Sequence, residues 1–483
     1  MKLSRKSFYP LTILLMLSAC DSFLSENPDN RVDLDTAEKA AQLLTSAYPS
    51  AAYTFTEWMA DEVSYTQGTT KRPEHVQAYN WEESTSSNNQ DTPSFIWAGS
   101  YEAIAPANEV LAIIDEMEGD ADLKSAIRGE ALLARAYGHF MLVNLFAKHY
   151  NRQTATTDAG VPYVEEPETV FIKQYARNTV AEVYDKVERD LREGMRLVDG
   201  RFYKNSGKYH FTSTAALALA SRFYLFKGDF ENCINYSTEM LGSNPDIFIK
   251  DLPTILADYT NTEEFLRLMT SPSDNSNLLL ARQVTNYPIN VGFWPSIDQV
   301  NSLYDNNPWN AEDLRRSNRY PLFIRGTDGY ALAKYQFLFE RTSITSNVGY
   351  NYTIMPLFRG EEVLLNRAEA YASTGQNSAA LADLQIYVDK RYTEKPRVTL
   401  PFLQNYYRTN NAQAALMAFI VDERDKEFIH EGLRWFDIKR FNLPVTHITQ
   451  TGASITLGET DLRKVLQIPQ NAIDVGGLEP NPR

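Results

Sequence analysis

The stretch Glu423-Arg-Asp-Lys-Glu-Phe-Ile-His-Glu-Gly-Leu-Arg-Trp-Phe-Asp437 concentrates side chains that could do chemistry. Arg424, Glu427, Glu431, Arg434 and Asp437 recur every three or four residues, which puts them on one face of a helix. Two carboxylates can share acid–base work only when their surroundings push their pKa values apart. Here each carboxylate has a cation of opposite sign beside it. The spacing therefore predicts an ion-pair lattice clamping the helix to its neighbours, with Gly432 ending it and Trp435 in the core. The six histidines, His75, His139, His149, His210, His430 and His447, show no metal-ligand spacing with a third ligand nearby. No glycine-rich phosphate loop or Gly-x-Ser-x-Gly elbow is present. The reading is a protein without catalytic residues, metal or cofactor.

The tryptophans suggest binding instead. Trp81, Trp294 and Trp309 fall in stretches without helical period, beside Tyr79, Asn80, Phe293, Tyr304 and Asn307. A sugar ring has an apolar C–H face and a hydroxyl rim. An exposed aromatic ring covers the face, and Asp, Asn or Arg binds the rim. Trp81, Trp294, Trp309 and Tyr79, with Asp61 on the rim, are the expected ligand-binding set. The competing expectation is that these rings hold a loop-rich lobe together. Trp97 is expected in the core, and Trp58, just before Asp61 and Glu62, fits either role.

The elements that must carry these residues read as mainly helical. Ile127–Lys148 lines up Ala134, Tyr137, Met141 and Leu145, and Thr179–Val198 repeats Val180, Val183, Val187 and Leu191. Thr36–Tyr48 and Tyr101–Met117 are further helices. Tyr224-x3-Gly228 followed by Cys233, and Tyr371-x3-Gly375 followed by Ala380, have the spacing of tetratricopeptide helix–turn–helix units. About eight helices in four antiparallel pairs are expected over 36–246 and 356–445. Residues 247–355 are rich in Pro, Asn, Asp and aromatics, and predict an ordered, irregular ligand lobe with short strands such as Ala331–Phe339. The division is 1–19 as a leader and 20–483 as one domain.

The leader rests on Lys2, Arg5 and Lys6, an apolar run Leu11–Leu17, and the ending Leu17-Ser-Ala-Cys20. That ending resembles a bacterial lipobox, which implies cleavage before Cys20 and lipid on its thiol. Losing three basic residues takes the side-chain charge from −15 to −18. Such a body disfavours nucleic acid. With Cys20 lipidated, Cys233 is left as a lone, buried thiol.

Four motifs then stand in order: Cys20-Asp-Ser-Phe-Leu-Ser-Glu-Asn-Pro28; Arg128-Gly-Glu-Ala-Leu-Leu-Ala-Arg-Ala-Tyr137 with Gly160-Val-Pro162; the Glu423–Asp437 run; and Leu466-Gln-Ile-Pro-Gln-Asn-Ala-Ile473. Together they resemble the SusD/RagB family of outer-membrane nutrient-binding lipoproteins of Bacteroidetes. The resemblance implies a non-enzymatic, lipid-anchored lid on the extracellular face of the outer membrane. Such a lid captures an oligo- or polysaccharide for a TonB-dependent, SusC-like barrel. It also implies four tetratricopeptide-like helix pairs with a variable ligand lobe. A peptide ligand, a glycoside hydrolase on a helical scaffold, and a protein-binding tetratricopeptide scaffold remain the competing readings. The hydrolase would need two carboxylates facing across a groove.

Overall fold

The computed structural model describes residues 34–67, 70–86, 89–170, 173–203, 206–287, 292–316, 322–324, 329–332 and 334–483. Cys20, the leader and the first of the four motifs lie outside the described residues. The chain is mainly helical. It begins with α1 (Ala37–Leu44), β1 (Ser64–Tyr65), α2 (Pro73–Tyr79), α3 (Pro93–Ile113), α4 (Ala121–Phe146) and α5 (Val180–Leu197). Next come α6 (Ser213–Lys227), α7 (Phe230–Leu241), α8 (Leu252–Asp258), α9 (Thr262–Met269), β2 (Asn277–Val284), β3 (Phe293–Trp294) and α10 (Ile297–Asp305). A short ladder of β4 (Leu322–Ile324) and β5 (Tyr330–Leu332) precedes β6 (Leu338–Arg341) and β7 (Gly349–Arg359). The chain closes with α11 (Gly360–Ser373), α12 (Asn377–Val388), α13 (Leu400–Tyr406), α14 (Ala412–Phe428), α15 (Arg434–Arg440), the hairpin β8 (Val445–Ile448) and β9 (Ser454–Leu457), and α16 (Gln470–Asp474). No helix among the described residues is long and apolar enough to cross a membrane.

Local chemistry sets the helix ends. The Thr179 side chain accepts from the Glu182 amide while Glu182 reaches back to Thr179, so a capping box starts α5. Thr92 caps α3 with Pro93 in its first turn, which starts that helix earlier than the hydrophobic period alone indicates. Packing then pairs the helices. α4 lies against α3 and α5, α6 against α7, and α11 against both α7 and α12. Gly228 (φ +73°) and Gly375 (φ +76°) make the two hairpin turns, and added Cβ atoms would meet nothing within 4 Å. Glycine is needed there for its left-handed backbone, not for room. Tyr224 is buried and stacks on Tyr236 of the partner helix at 5.2 Å.

The lobe is more regular than the sequence suggests. β7 is the centre of a three-stranded antiparallel sheet ordered β2-β7-β6. Pro356 sits in β7 opposite Leu280, beyond the last residue paired to β6, so its missing N–H faces no partner. The expected strand Ala331–Phe339 is interrupted. Lys334 instead turns inward and donates to the Glu427 carbonyl (2.6 Å) and to Glu431 (3.0 Å). Leu278, Leu279, Ala281 and Phe293 belong to the same buried cluster as the scaffold helices.

The Glu423–Asp437 run is a lattice of ion pairs, but not one helix. α14 ends at Phe428 and α15 starts at Arg434, because His430 (φ +66°) and Gly432 (φ +76°) are both left-handed. The buried Glu57 carboxylate accepts from both amides, at 2.5 and 2.9 Å, and fixes the break. Around it, Asp437 takes Arg424 (2.8 Å) and Arg440 (2.7 Å). Glu427 takes Arg391 (2.7 Å) and Arg359 (2.9 Å), and Glu423 takes Arg315 (2.7 Å). Trp435 is fully buried.

Candidate ligand-binding face

The aromatic set expected to form an open platform does not do so. Tyr79 is fully buried, and Trp81 and Trp294 are each 4% exposed. Tyr79 lies between Phe293 (4.5 Å) and His447 (4.1 Å), and Trp81 stacks on the other side of His447 (4.4 Å). The result is a column of four rings. The indole of Trp81 donates to the Met59 carbonyl (2.9 Å), and the Tyr79 hydroxyl to the Ile448 carbonyl (2.9 Å). His447 supplies the missing half of the column from the β8–β9 hairpin, its ring nitrogens 2.7 and 2.6 Å from the Tyr79 and Ala60 carbonyl oxygens. Trp294 pairs with Ser64 in the β1–β3 ladder. Trp309 is half-buried between Tyr392 and Phe419 and donates to the Arg397 carbonyl (3.2 Å). Asp61 is held in a fork by Arg434 at 2.8 and 2.7 Å. These rings fill the protein; they do not face solvent. Trp97 and Trp58 are core as well.

Open rings lie elsewhere, on the β6–β7 hairpin. Phe337 (40% exposed), Phe339 (47%) and Tyr350 (53%) project from it. Phe339 is opposite Asn351 in the antiparallel register, so ring and carboxamide share one face. Asn351 donates to the Asn286 side chain (2.6 Å), which donates in turn to Gln90 (2.7 Å). Behind this row the buried Asp91 accepts from the Thr285 hydroxyl and the Asn286 amide (2.8 Å). Burial pushes the Asp91 carboxyl up to about 6, against the opposing effect of those two bonds. On the opposite face, Arg282 lies over the Tyr352 ring at 4.4 Å and pairs with Glu340.

Loop geometry explains why the amides arrive there. Trp81 (φ +55°) and Asp91 (φ +61°) are left-handed, and they bracket the polar segment between them. One end is locked by the ring column and the other by Thr285 and Asn286. Sequence reasoning singled out that segment as a polar loop between tryptophans, but it missed Phe339, Asn351, Asn286 and Gln90. A signal was available in the Phe-Leu-Phe337–Phe339 run ahead of a Thr/Ser/Asn-rich turn, a hairpin with large rings at its edge.

The row of one open ring and three linked carboxamides can cover an apolar ring face and bond neutral hydroxyls. It has no nucleophile with an activating base. Among the described residues no three His, Cys, Asp or Glu side chains converge as metal ligands. A cavity of about 440 Å³ between α3 and the C-terminal segment offers a poorer rim. Its Tyr101 hydroxyl and Asn108 amide already donate to the Pro162 and Val164 carbonyls.

Residues 22–225 match a family model described as starch-binding associating with outer membrane, and residues 187–474 match the SusD family model. The SusD-like protein P2 of Formosa agariphila is 23% identical, with 90% of each chain covered. A SusD superfamily protein of Bacteroides thetaiotaomicron superposes with a TM-score of 0.69 at 20% identity, covering 93% of this chain and 100% of the other. A putative sugar binding protein of Bacteroides vulgatus gives 0.69 at 22%, covering 94% and 99%. The structural likeness speaks to the fold, and the 187–474 match spans more than half of the chain: the protein belongs to the SusD family.

Proposed function

We propose that this protein is a non-enzymatic receptor for oligosaccharide at the outer face of the outer membrane. It is anchored by lipid on Cys20 and acts as the lid of a TonB-dependent, SusC-like barrel. The observation that carries the ligand class is the Phe339–Asn351–Asn286–Gln90 row, an open ring beside linked carboxamides on a rigid hairpin. The sugar-binding description of the Bacteroides vulgatus relative is in keeping with it. So is the outer-membrane description of the model matching 22–225. The carboxylates of the Glu423–Asp437 lattice are occupied by arginines, which argues against a glycosidase pair. The row is uncharged, so an anionic polymer such as nucleic acid finds no cationic groove there.

The test is calorimetric titration of the mature protein with neutral oligosaccharides, alongside an assay for new reducing ends. Binding without product is expected, weakened about five- to hundredfold in Phe339→Ala. Binding unaffected by Phe339→Ala and Asn351→Ala would move the site elsewhere, and product formation would overturn the non-enzymatic reading. Mild-detergent pull-down from the native membrane, with and without Cys20→Ser, checks the barrel and the anchor.

A further inference from the structure

A second site sits where the segment around Asp61, α10, α13 and α14 meet. A cavity of about 260 Å³ there is lined by Asp61, Glu62, Asn306, Tyr406, Asp422 and Asp425. Four carboxyl groups approach it, and nearby cations account for only some of them. Arg434 forks onto Asp61 and reaches Asp425 at 3.3 Å. Lys426 is turned toward Glu423 (3.1 Å) and the Tyr392 hydroxyl (3.1 Å). Asp422 takes only the Tyr407 hydroxyl, at 2.7 Å. Glu62 is the remainder. It is 5% exposed, and among the described residues no donor reaches either of its oxygens. Its polar neighbours there are two more carboxyls, Glu57 and Asp425.

From this juxtaposition we propose that the cavity receives the ammonium-bearing ring of an amino sugar, with Glu62 as the buried acceptor and Asp422 at the rim. An ammonium is compact and carries three donors and no acceptor, so it matches a pocket with surplus acceptors. A bare metal ion fits less well. No three acidic or histidine side chains converge as its ligands among the described residues, and the space is several times the ~30 Å³ share of one water. The rest of the lining suits a sugar ring. Tyr406 is 37% exposed at the edge, with Phe402 one turn earlier on α13 at 46%, and the exposed Asn306 offers a carboxamide.

Proton exchange should accompany binding. Burial, then Asp425 and Glu57, push Glu62 well above the usual carboxylate range, so it holds a proton before a ligand arrives. Glu57, Asp61, Asp425, Arg434 and Tyr287 are the titratable groups that interact with it. An incoming ammonium displaces that proton, so affinity rises with pH by up to about tenfold per unit while the amine stays charged.

This inference rests on the carbohydrate reading, and the experiment separates the two. The mature protein is titrated with a glucosamine trimer, its N-acetylated counterpart, a glucose trimer and trilysine, at pH 5 to 7, in buffers of different ionisation heat. The glucosamine trimer is expected to bind about ten- to hundredfold tighter than the acetylated one, with proton release. Glu62→Gln should abolish that preference, and Asp422→Asn should weaken it several-fold even if Glu62→Gln does not fold. Equal affinity for amine and acetamide, or a preference that survives both substitutions, overturns the proposal. Trilysine binding as tightly as the glucosamine trimer overturns the amino-sugar assignment. If no sugar of any kind binds, the carbohydrate reading fails with it. If neutral trimers bind through Phe339 but show no amine preference, only the second site falls.

Discussion

Two groups of aromatic rings in this protein have similar composition and opposite roles. Phe293, Tyr79, His447 and Trp81 form a buried column with their polar atoms satisfied by backbone carbonyls. Phe337, Phe339 and Tyr350 stand open on the β6–β7 hairpin. Both groups come from segments without helical period and rich in Asn, Ser and Thr. What separates them is a third element, the β8–β9 hairpin, which closes over one group and leaves the other uncovered.

The contrast is sharpest in stability. Trp81→Ala should cost about 3–5 kcal/mol of unfolding free energy, read by denaturant titration, while oligosaccharide affinity per folded molecule stays unchanged. If affinity falls with little loss of stability, the column touches ligand after all and the comparison collapses. Acid should separate the regions next. Burial raises the Asp437 carboxyl, but Arg424 and Arg440 outweigh that and hold it down at about 2. A depressed carboxylate contributes stability above its unfolded value of about 4, and loses it as pH falls through about 2. The wild-type protein should therefore lose about 2 kcal/mol through this group between pH 4 and pH 2, a slope missing from Asp437→Asn. Binding on the uncharged hairpin face should change little when salt is raised at neutral pH, since no ion pair is made there. A steep salt dependence would point to an anionic ligand held by Arg282. The smallest effect belongs to the scaffold. Gly375→Ala should cost about 1–2 kcal/mol from left-handed strain alone, since the added methyl meets no atom.

The scaffold was readable because its signals are local. The capping box of Thr179 and Glu182, the heptad-like faces of α4 and α5, and the Tyr-x3-Gly turns all lie within a few residues of one another. The burial of Tyr79 was not readable, because its covering ring, His447, is 368 residues away. The break at His430 and Gly432 was missed for the same reason: the carboxylate that stabilises it, Glu57, lies more than 370 residues upstream. β2 and β7 were obscured differently. The run Leu278-Leu-Leu-Ala281 shows no alternation because it is buried throughout, and Pro356 argues against a strand until the limit of β6 is known.

β7 passes from Arg359 directly into α11 at Gly360, with no connecting residue. A Cβ at Gly360 would lie 2.0 Å from the Phe248 carbonyl oxygen, and Arg359 is tied to Glu427 and Glu431. The joint is thus welded, not hinged. A load applied at the hairpin tip by a long polymer would pass along β7 into the axis of a buried helix and be shared by the whole bundle. The grip and the body move as one lever.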